Sequence, residues 1–371
     1  MNCGFRMRPP AMSQGVWPID EAISSIGMPH GPWEATYWAE PKVLLLEDIK
    51  HAHSSWATIE SLADVISPTS SCRQDFLAEA ASGAFDGCVA VYRTWESIVI
   101  TGKFDAEVLD TLPSSIRFIS HKGAGYDQVD VAACTARGIQ VSNTPGTVDD
   151  GTANLGIFLL LGALRNLPVC MAALRDGKWR GTSEPALGHD PEGKVLGILG
   201  MGGIGRNMAR KARAFGMKIR YHNRARLDRD TEKELEAEYV GFDELLAGCD
   251  ALSLNLPLTE STRHIISKRE LSKMKKGVVI VNTARGAIMD EAALVEALDS
   301  GQVSSVGLDV FESEPQIHPR LLNNPRVLLT PHLGTWTVET QEKMEELAIK
   351  NLHMFLTKGK PCTVVPEQRD M

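Results

Sequence analysis

No stretch of this chain approaches the roughly twenty consecutive apolar residues that a membrane-spanning helix needs. The longest apolar run, Leu155 to Leu164, reads instead as a buried helix or a subunit seam. Seven cysteines contain no Cys-x-x-Cys pair and no Cys/His cluster, so neither a metal site nor a disulfide framework is expected, and free thiols suit a reducing compartment. Basic charge is short as well: 39 Lys and Arg face 47 Asp and Glu, for a net charge of -8. That balance argues against a broad electrostatic grip on nucleic acid. Residues 1 to 40 lack the apolar centre of a secretory signal. Arg6 and Arg8 leave organelle import open, with the cytoplasm as the expected location.

What is present is ordinary globular composition, 43% hydrophobic and 23% charged, over a length that implies two domains with a cleft between them. Residues 1–41 read as an extension. Apolar runs at Lys42 to Asp48, Cys88 to Tyr92, Ile116 to Ser120 and Ile139 to Ser142 alternate with helical patterns such as Asp75 to Ala81 and Val129 to Arg137. A second series follows the break at Asn143 to Gly146 and a long helical stretch from Asp149: Val195 to Leu199, Lys218 to Tyr221, Ala251 to Asn255, Val278 to Asn282, Ser304 to Val310 and Val327 to Thr330. Such alternation signals parallel sheets covered by helices. The last helix, Val338 to Thr357, is expected to fold back on the first series. The predicted class is therefore α/β with two Rossmann-like domains. A discontinuous, flavodoxin-like substrate domain spans 42–148 plus 336–371, and a dinucleotide-binding domain spans 149–335.

Gly200-Met201-Gly202-Gly203-Ile204-Gly205 directly follows an apolar strand and opens a helix predicted over Arg206 to Phe215. In that context the glycines of G-x-G-x-x-G provide a tight turn, close approach to a pyrophosphate, and close helix packing. The next strand ends Tyr221-His222-Asn223-Arg224, where selectivity for NAD would place a carboxylate against the ribose. Asn223 would not repel a 2'-phosphate, and Arg224, aided by Arg226, can pair with one, so NADPH is the preferred cofactor and NADH the alternative.

Beside a hydride-carrying dinucleotide, a cation able to hold a carboxylate and a group able to protonate a nascent alkoxide would suit the reduction of a 2-oxo acid. Three successive strand ends supply candidates: Thr283-Ala284-Arg285, then Asp309 through Glu314, then His332-Leu333-Gly334. Arg285, Glu314 and His332 are the predicted catalytic residues, with Glu314 orienting the imidazole and stabilising its protonated form.

On these motifs the chain resembles the D-isomer-specific 2-hydroxyacid dehydrogenases over roughly residues 42 to 366. Tyr92-Arg93-Thr94, His121 to Asp130 and Tyr221 to Arg224 are similar to the fungal glyoxylate and hydroxypyruvate reductases of that family. The resemblance implies that Gly123, Ala124 and Gly125 form a substrate loop whose amides help Arg285 hold the carboxylate. It also implies that Thr152, Asn255, Pro257, Thr283, Ala284, Asp309 and Gly334 lie around the cofactor. Arg93 and Trp336 are further candidates for substrate contact, with a structural ion pair for Arg93 and an interdomain packing role for Trp336 as the alternatives. A homodimer is expected, seamed by the helix carrying Phe158 to Leu161. Phosphoglycerate dehydrogenases and, from another class, dinucleotide-sensing corepressors share these motifs, whereas Glu314 speaks against a formate dehydrogenase.

Overall fold

A computed structural model describes residues 41–179 and 186–371. The N-terminal extension lies outside the described residues except for Pro41. Five strands, β1 (Lys42–Leu45), β2 (Asp64–Ile66), β3 (Cys88–Thr94), β4 (Phe118–Lys122) and β5 (Gln140–Ser142), form one parallel sheet in the order β2-β1-β3-β4-β5. Seven more, β6 (Val195–Leu199), β7 (Lys218–His222), β8 (Ala237–Tyr239), β9 (Ala251–Leu254), β10 (Val278–Asn282), β11 (Val303–Leu308) and β12 (Val327–Leu329), form a second. Its order is β12-β11-β10-β9-β6-β7-β8, and every pairing is again parallel. The first order is that of flavodoxin, and the second is the Rossmann order with an added edge strand.

Central strands β3, β4 and β10 are buried along their whole length. That is why β10 and the first part of β3 read as continuous apolar runs instead of alternating ones. The short edge strands β2 and β8 escape the sequence pattern because only three residues pair in each and their exposure varies. β4 runs two residues later than its apolar run suggests, since Ser120, His121 and Lys122 are polar yet buried. Similarly, the helix after the glycine turn begins at Gly203, inside the motif, and runs to Ala214.

The Asp149–Leu164 helix packs its buried face, including Ala153, Leu160 and Ala163, against β10 and β11 of the second sheet. Among the described residues no single helix is long and apolar enough to cross a membrane. That helix with its neighbour Leu167–Arg175 passes the length and composition test only as a pair bent by 77°, and the first member is largely interior. The long Val338–Lys358 helix returns to the first sheet, where Phe355 stacks on Phe118 at 4.7 Å and Ala348 O accepts a 2.7 Å bond from Ser120 Oγ.

This return is fastened by charge. Glu345 of that helix meets Lys122 Nζ at 3.0 Å with both side chains almost wholly buried. Its carboxylate also accepts the backbone N–H groups of Lys50, His51 and Ala52 at 3.1, 2.7 and 2.9 Å. Burial alone would raise the Glu345 pKa, but those amides and the Lys122 charge outweigh it and hold the carboxyl below its usual range. A depressed carboxyl contributes stability that is present above the ordinary carboxylate pKa and lost as pH falls through the folded value. Glu345→Ala should therefore cost on the order of 3–5 kcal/mol by leaving an ammonium buried without its partner. Chemical denaturation near neutrality reads this loss, and the gap between variant and parent should narrow in acid. A gap that is small at neutral pH, or that widens in acid, would contradict the assignment.

Candidate active site

Both sheets turn the carboxyl ends of their strands toward one cleft of about 1170 Å³, where open α/β sheets place their ligands. The turns after β3 and β4 form one wall, and those after β6, β9, β10 and β11, with the segment following β12, form the other.

His332 follows β12 in a left-handed conformation, φ 55°, that a side chain adopts only when its surroundings impose it. Those surroundings are visible. His332 N–H donates to Asp309 O at 2.8 Å, and the Asp309 carboxylate accepts from Thr330 Oγ1, Leu333 N and Gly334 N at 2.7–2.8 Å. Asp309 lines the cleft as expected, but its oxygens are engaged in shaping the His332 turn.

His332 Nδ1 donates to Glu314 Oε2 at 2.8 Å, while Glu314 Oε1 accepts the Phe311 amide at 2.9 Å. Nδ1 as donor leaves Nε2 as the ring atom free to serve the cleft. Burial would raise the Glu314 pKa, yet the His332 hydrogen bond and charge, the Phe311 amide and the Arg285 charge together hold it below the usual range.

Arg285 leaves β10 through a turn bracketed by Asn282, whose side chain accepts from Ala284 N and donates to Arg285 O. Its Nε donates to Asp127 Oδ1 across the cleft at 2.9 Å. Its guanidinium carbon stands 4.7 Å over the Trp95 ring, a cation–π contact, and the same ring lies 5.2 Å from that of His332. Trp95 thus binds the cation and the imidazole into one group.

Of the residues singled out in the sequence, Gly123, Ala124, Gly125, Trp336, Thr152, Ile204, Arg224, Asn255, Pro257, Thr283, Ala284, Asp309 and Gly334 line the cleft. Arg93 does not reach it. It is wholly buried, donating to His121 and to Gln128. Asn223 turns inward to accept the Met201 amide at 2.7 Å, and Arg226 is committed to Glu232 through two 2.8 Å bonds. The sequence does not single out Trp95, which adjoins Tyr92-Arg93-Thr94, or Asp127, which lies within His121 to Asp130, because the partners of both appear only when the fold closes.

The dinucleotide turn suits its ligand. Gly200 has φ 99° and lies against the Asn255 carbonyl, where a Cβ would come within 2.7 Å. A Cβ on Gly205 would meet Gly200 O at 2.3 Å, so the helix needs glycine there to reach the strand. At Gly202 the space is open. The helix it caps carries no acid of its own in its first turn. Asn255 lines the cleft, and its Oδ1 is buried without a partner among the described residues. The Asp149 carboxyl lies against Gly203, and burial raises its pKa.

Fold and site together define an oxidoreductase that works with a nicotinamide dinucleotide. The family profile described as D-isomer specific 2-hydroxyacid dehydrogenase, NAD binding domain, matches residues 157–334. Over 331 residues the chain is 54% identical to 4-methyl-2-oxopentanoate reductase A of Aspergillus oryzae, covering 89% of this chain and 99% of that protein. A glyoxylate reductase from Paecilomyes thermophila matches in structure with a TM-score of 0.85 at 54% identity, over 89% of this chain and 99% of the other. An NADPH-dependent glyoxylate/hydroxypyruvate reductase from Sinorhizobium meliloti, crystallised with NADP and malonate, matches with a TM-score of 0.76 at 31% identity, over 88% and 97%. The chain belongs to the D-isomer-specific 2-hydroxyacid dehydrogenase family, as an NAD(P)-dependent enzyme that reduces 2-oxo acids.

Proposed function

We propose that the enzyme reduces a small 2-oxo acid, with glyoxylate and hydroxypyruvate first among the substrates, to the D-2-hydroxy acid at the cleft of Arg285, Glu314 and His332. The observation that carries this reading is the His332–Glu314 pair sharing the Trp95 ring with Arg285. When bound, the dihydronicotinamide supplies hydride to the carbonyl carbon. Arg285 holds the substrate carboxylate and polarises the carbonyl, and the amides of Ala124 and Gly125 hold the same carboxylate from the opposite wall. Asp127 keeps the guanidinium in place through its Nε. Protonated His332 donates from Nε2 to the carbonyl oxygen, while Glu314 fixes the ring and stabilises its charge.

The finer features belong to the same reading. NADPH is the preferred reductant: Arg224 lines the cleft with no carboxylate partner among the described residues, and no acid ends β7 to repel a 2'-phosphate. Chain segments near 143–148 and 333–337 join a lobe of 42–148 with 336–371 to a lobe of 149–335, and closure about them excludes water from the reacting atoms. Phe158, Leu167, Met171, Leu174 and Leu187 expose an apolar face around the Asp149–Leu164 helix. That face is the seam of a homodimer, which sedimentation would detect. The six cysteines among the described residues are all free, in keeping with a cytoplasmic location. A preference for bulkier substrates is the second reading, favoured by the 54% identity to a 4-methyl-2-oxopentanoate reductase.

One panel decides substrate and cofactor. Glyoxylate, hydroxypyruvate and 4-methyl-2-oxopentanoate are each turned over with NADPH and with NADH, and kcat/KM is compared. The small acids with NADPH should lead; an equal or higher value with NADH sinks the cofactor reading. His332→Ala should fold and bind NADPH yet lose on the order of 10²- to 10⁴-fold in kcat. Near-parental turnover would remove His332 from the chemistry. Glu314→Gln leaves the His332 ring without its carboxylate partner, so kcat should fall well below the parental value while NADPH affinity holds. Parental kcat contradicts the pairing.

A further inference from the structure

Beneath the substrate loop lies a buried cation that touches neither ligand nor acid. Arg93 near the end of β3 is wholly buried. Among the described residues it forms no ion pair; Nη1 lies 3.0 Å from His121 Nδ1, Nη2 donates to Gln128 Oε1 at 2.8 Å, and Nε is left without a partner. Burial pushes the guanidinium down to about 10, so it keeps its charge near neutrality. A buried cation without a carboxylate costs stability, and an apolar residue would fill the site more cheaply.

The geometry says what the cation does. Arginine only donates, so His121 Nδ1 accepts and its proton sits on Nε2. Burial, then the Arg93 charge, holds the His121 pKa far below its ordinary range and keeps the ring neutral. That tautomer donates from Nε2 to Gly125 O at 2.9 Å. Two further carbonyls of the loop are held in the same manner: Gly123 O accepts the Thr144 amide at 3.0 Å, and Ala124 O accepts Asn143 Nδ2 at 2.8 Å.

In a trans peptide the N–H points away from the C=O of the same unit. Anchoring these carbonyls therefore turns the N–H groups of Ala124, Gly125 and Tyr126 away from their anchors. None of the three finds a protein acceptor among the described residues, and all three residues line the cleft. Two glycines make room for the arrangement. A Cβ on Gly123 would stand 2.5 Å from His121 Nε2, and one on Gly125 would stand 2.0 Å from an Arg285 nitrogen.

We infer that Arg93 and His121 are positioning residues: they lock the tautomer that pins Gly125 O and so hold the loop amides, with a buried positive charge behind them, ready for the substrate carboxylate. This rests on the carboxylate site proposed above. The test uses Arg93→Met in the full-length enzyme, with Arg93→Lys, which keeps the charge but replaces the planar fork by a single ammonium, as a second variant. KM for the preferred 2-oxo acid and Ki for oxalate, a carboxylate probe with no ketone to reduce, should rise together by roughly tenfold to a hundredfold. The NADPH Kd and the kcat should stay near parental values, which a merely structural role would not give. Unchanged KM and Ki in a folded variant overturn the inference, as does a loss of NADPH affinity in step with the rise. Arg285→Leu separates the two levels of argument. If it too leaves KM and Ki unchanged, the carboxylate site itself is misplaced; if it raises both while the Arg93 variants do not, only the role of Arg93 and His121 falls.

Discussion

A parallel sheet sends the turn after every strand to the same edge, and this enzyme sets two such edges against each other across one cleft. Everything polar in the site follows from that constraint. The imidazole, its carboxylate partner and the guanidinium come from three turns of one sheet, while Trp95 and Asp127 come from two turns of the other. Each turn is short and would be loose alone. It is held from behind by a residue that does no chemistry: Asp309 for the His332 turn, Asn282 for the Arg285 turn, and Asn143, Thr144 and His121 for the loop at 123–125.

The charges answer one another across the gap as well as along each wall. Arg285 pairs with Asp127 through Nε and donates from Nη1 to Ala284 O, which leaves Nη2 without a protein acceptor among the described residues. Burial would raise the Glu314 pKa, but the His332 hydrogen bond and charge, then the Phe311 amide and the Arg285 charge, hold it below the usual range. Trp95 contributes an apolar face between the guanidinium and the imidazole. A face of that kind keeps two positive groups near each other while excluding the water that would screen their action on a carbonyl.

Much of this was legible in the order of residues, because runs of Val, Ile and Leu in buried parallel strands and a glycine turn placed between strand and helix are local patterns. Arg285, Glu314 and His332 could be marked since each ends a strand of the kind that carries ligands. Three things were hidden, each for a physical reason. The edge strands β2 and β8 are too short to show a period. Trp95 and Asp127 acquire their partners only when the two walls meet. Arg93 offers either a substrate contact or a structural ion pair in the sequence, and among the described residues it makes neither, because β3 is covered along its full length and its last residues never emerge.

The end of β4 shows how one strand serves the site from both faces. Successive residues of a strand point to opposite sides. His121, level with Arg93 on β3, lies under the loop as a neutral ring, and Lys122, level with Thr94, meets Glu345 of the Val338–Lys358 helix as an ion pair. The two buried cations are treated in opposite ways. Lys122 is given a carboxylate that also gathers three backbone amides, which ties the returning helix to its sheet. Arg93 is given an imidazole and an amide as its hydrogen-bond partners, and the Asp127 and Glu96 carboxylates act on it only through space. The structural cation is the one held in a direct ion pair, and the cation without one among the described residues lies behind the loop proposed to face the substrate carboxylate.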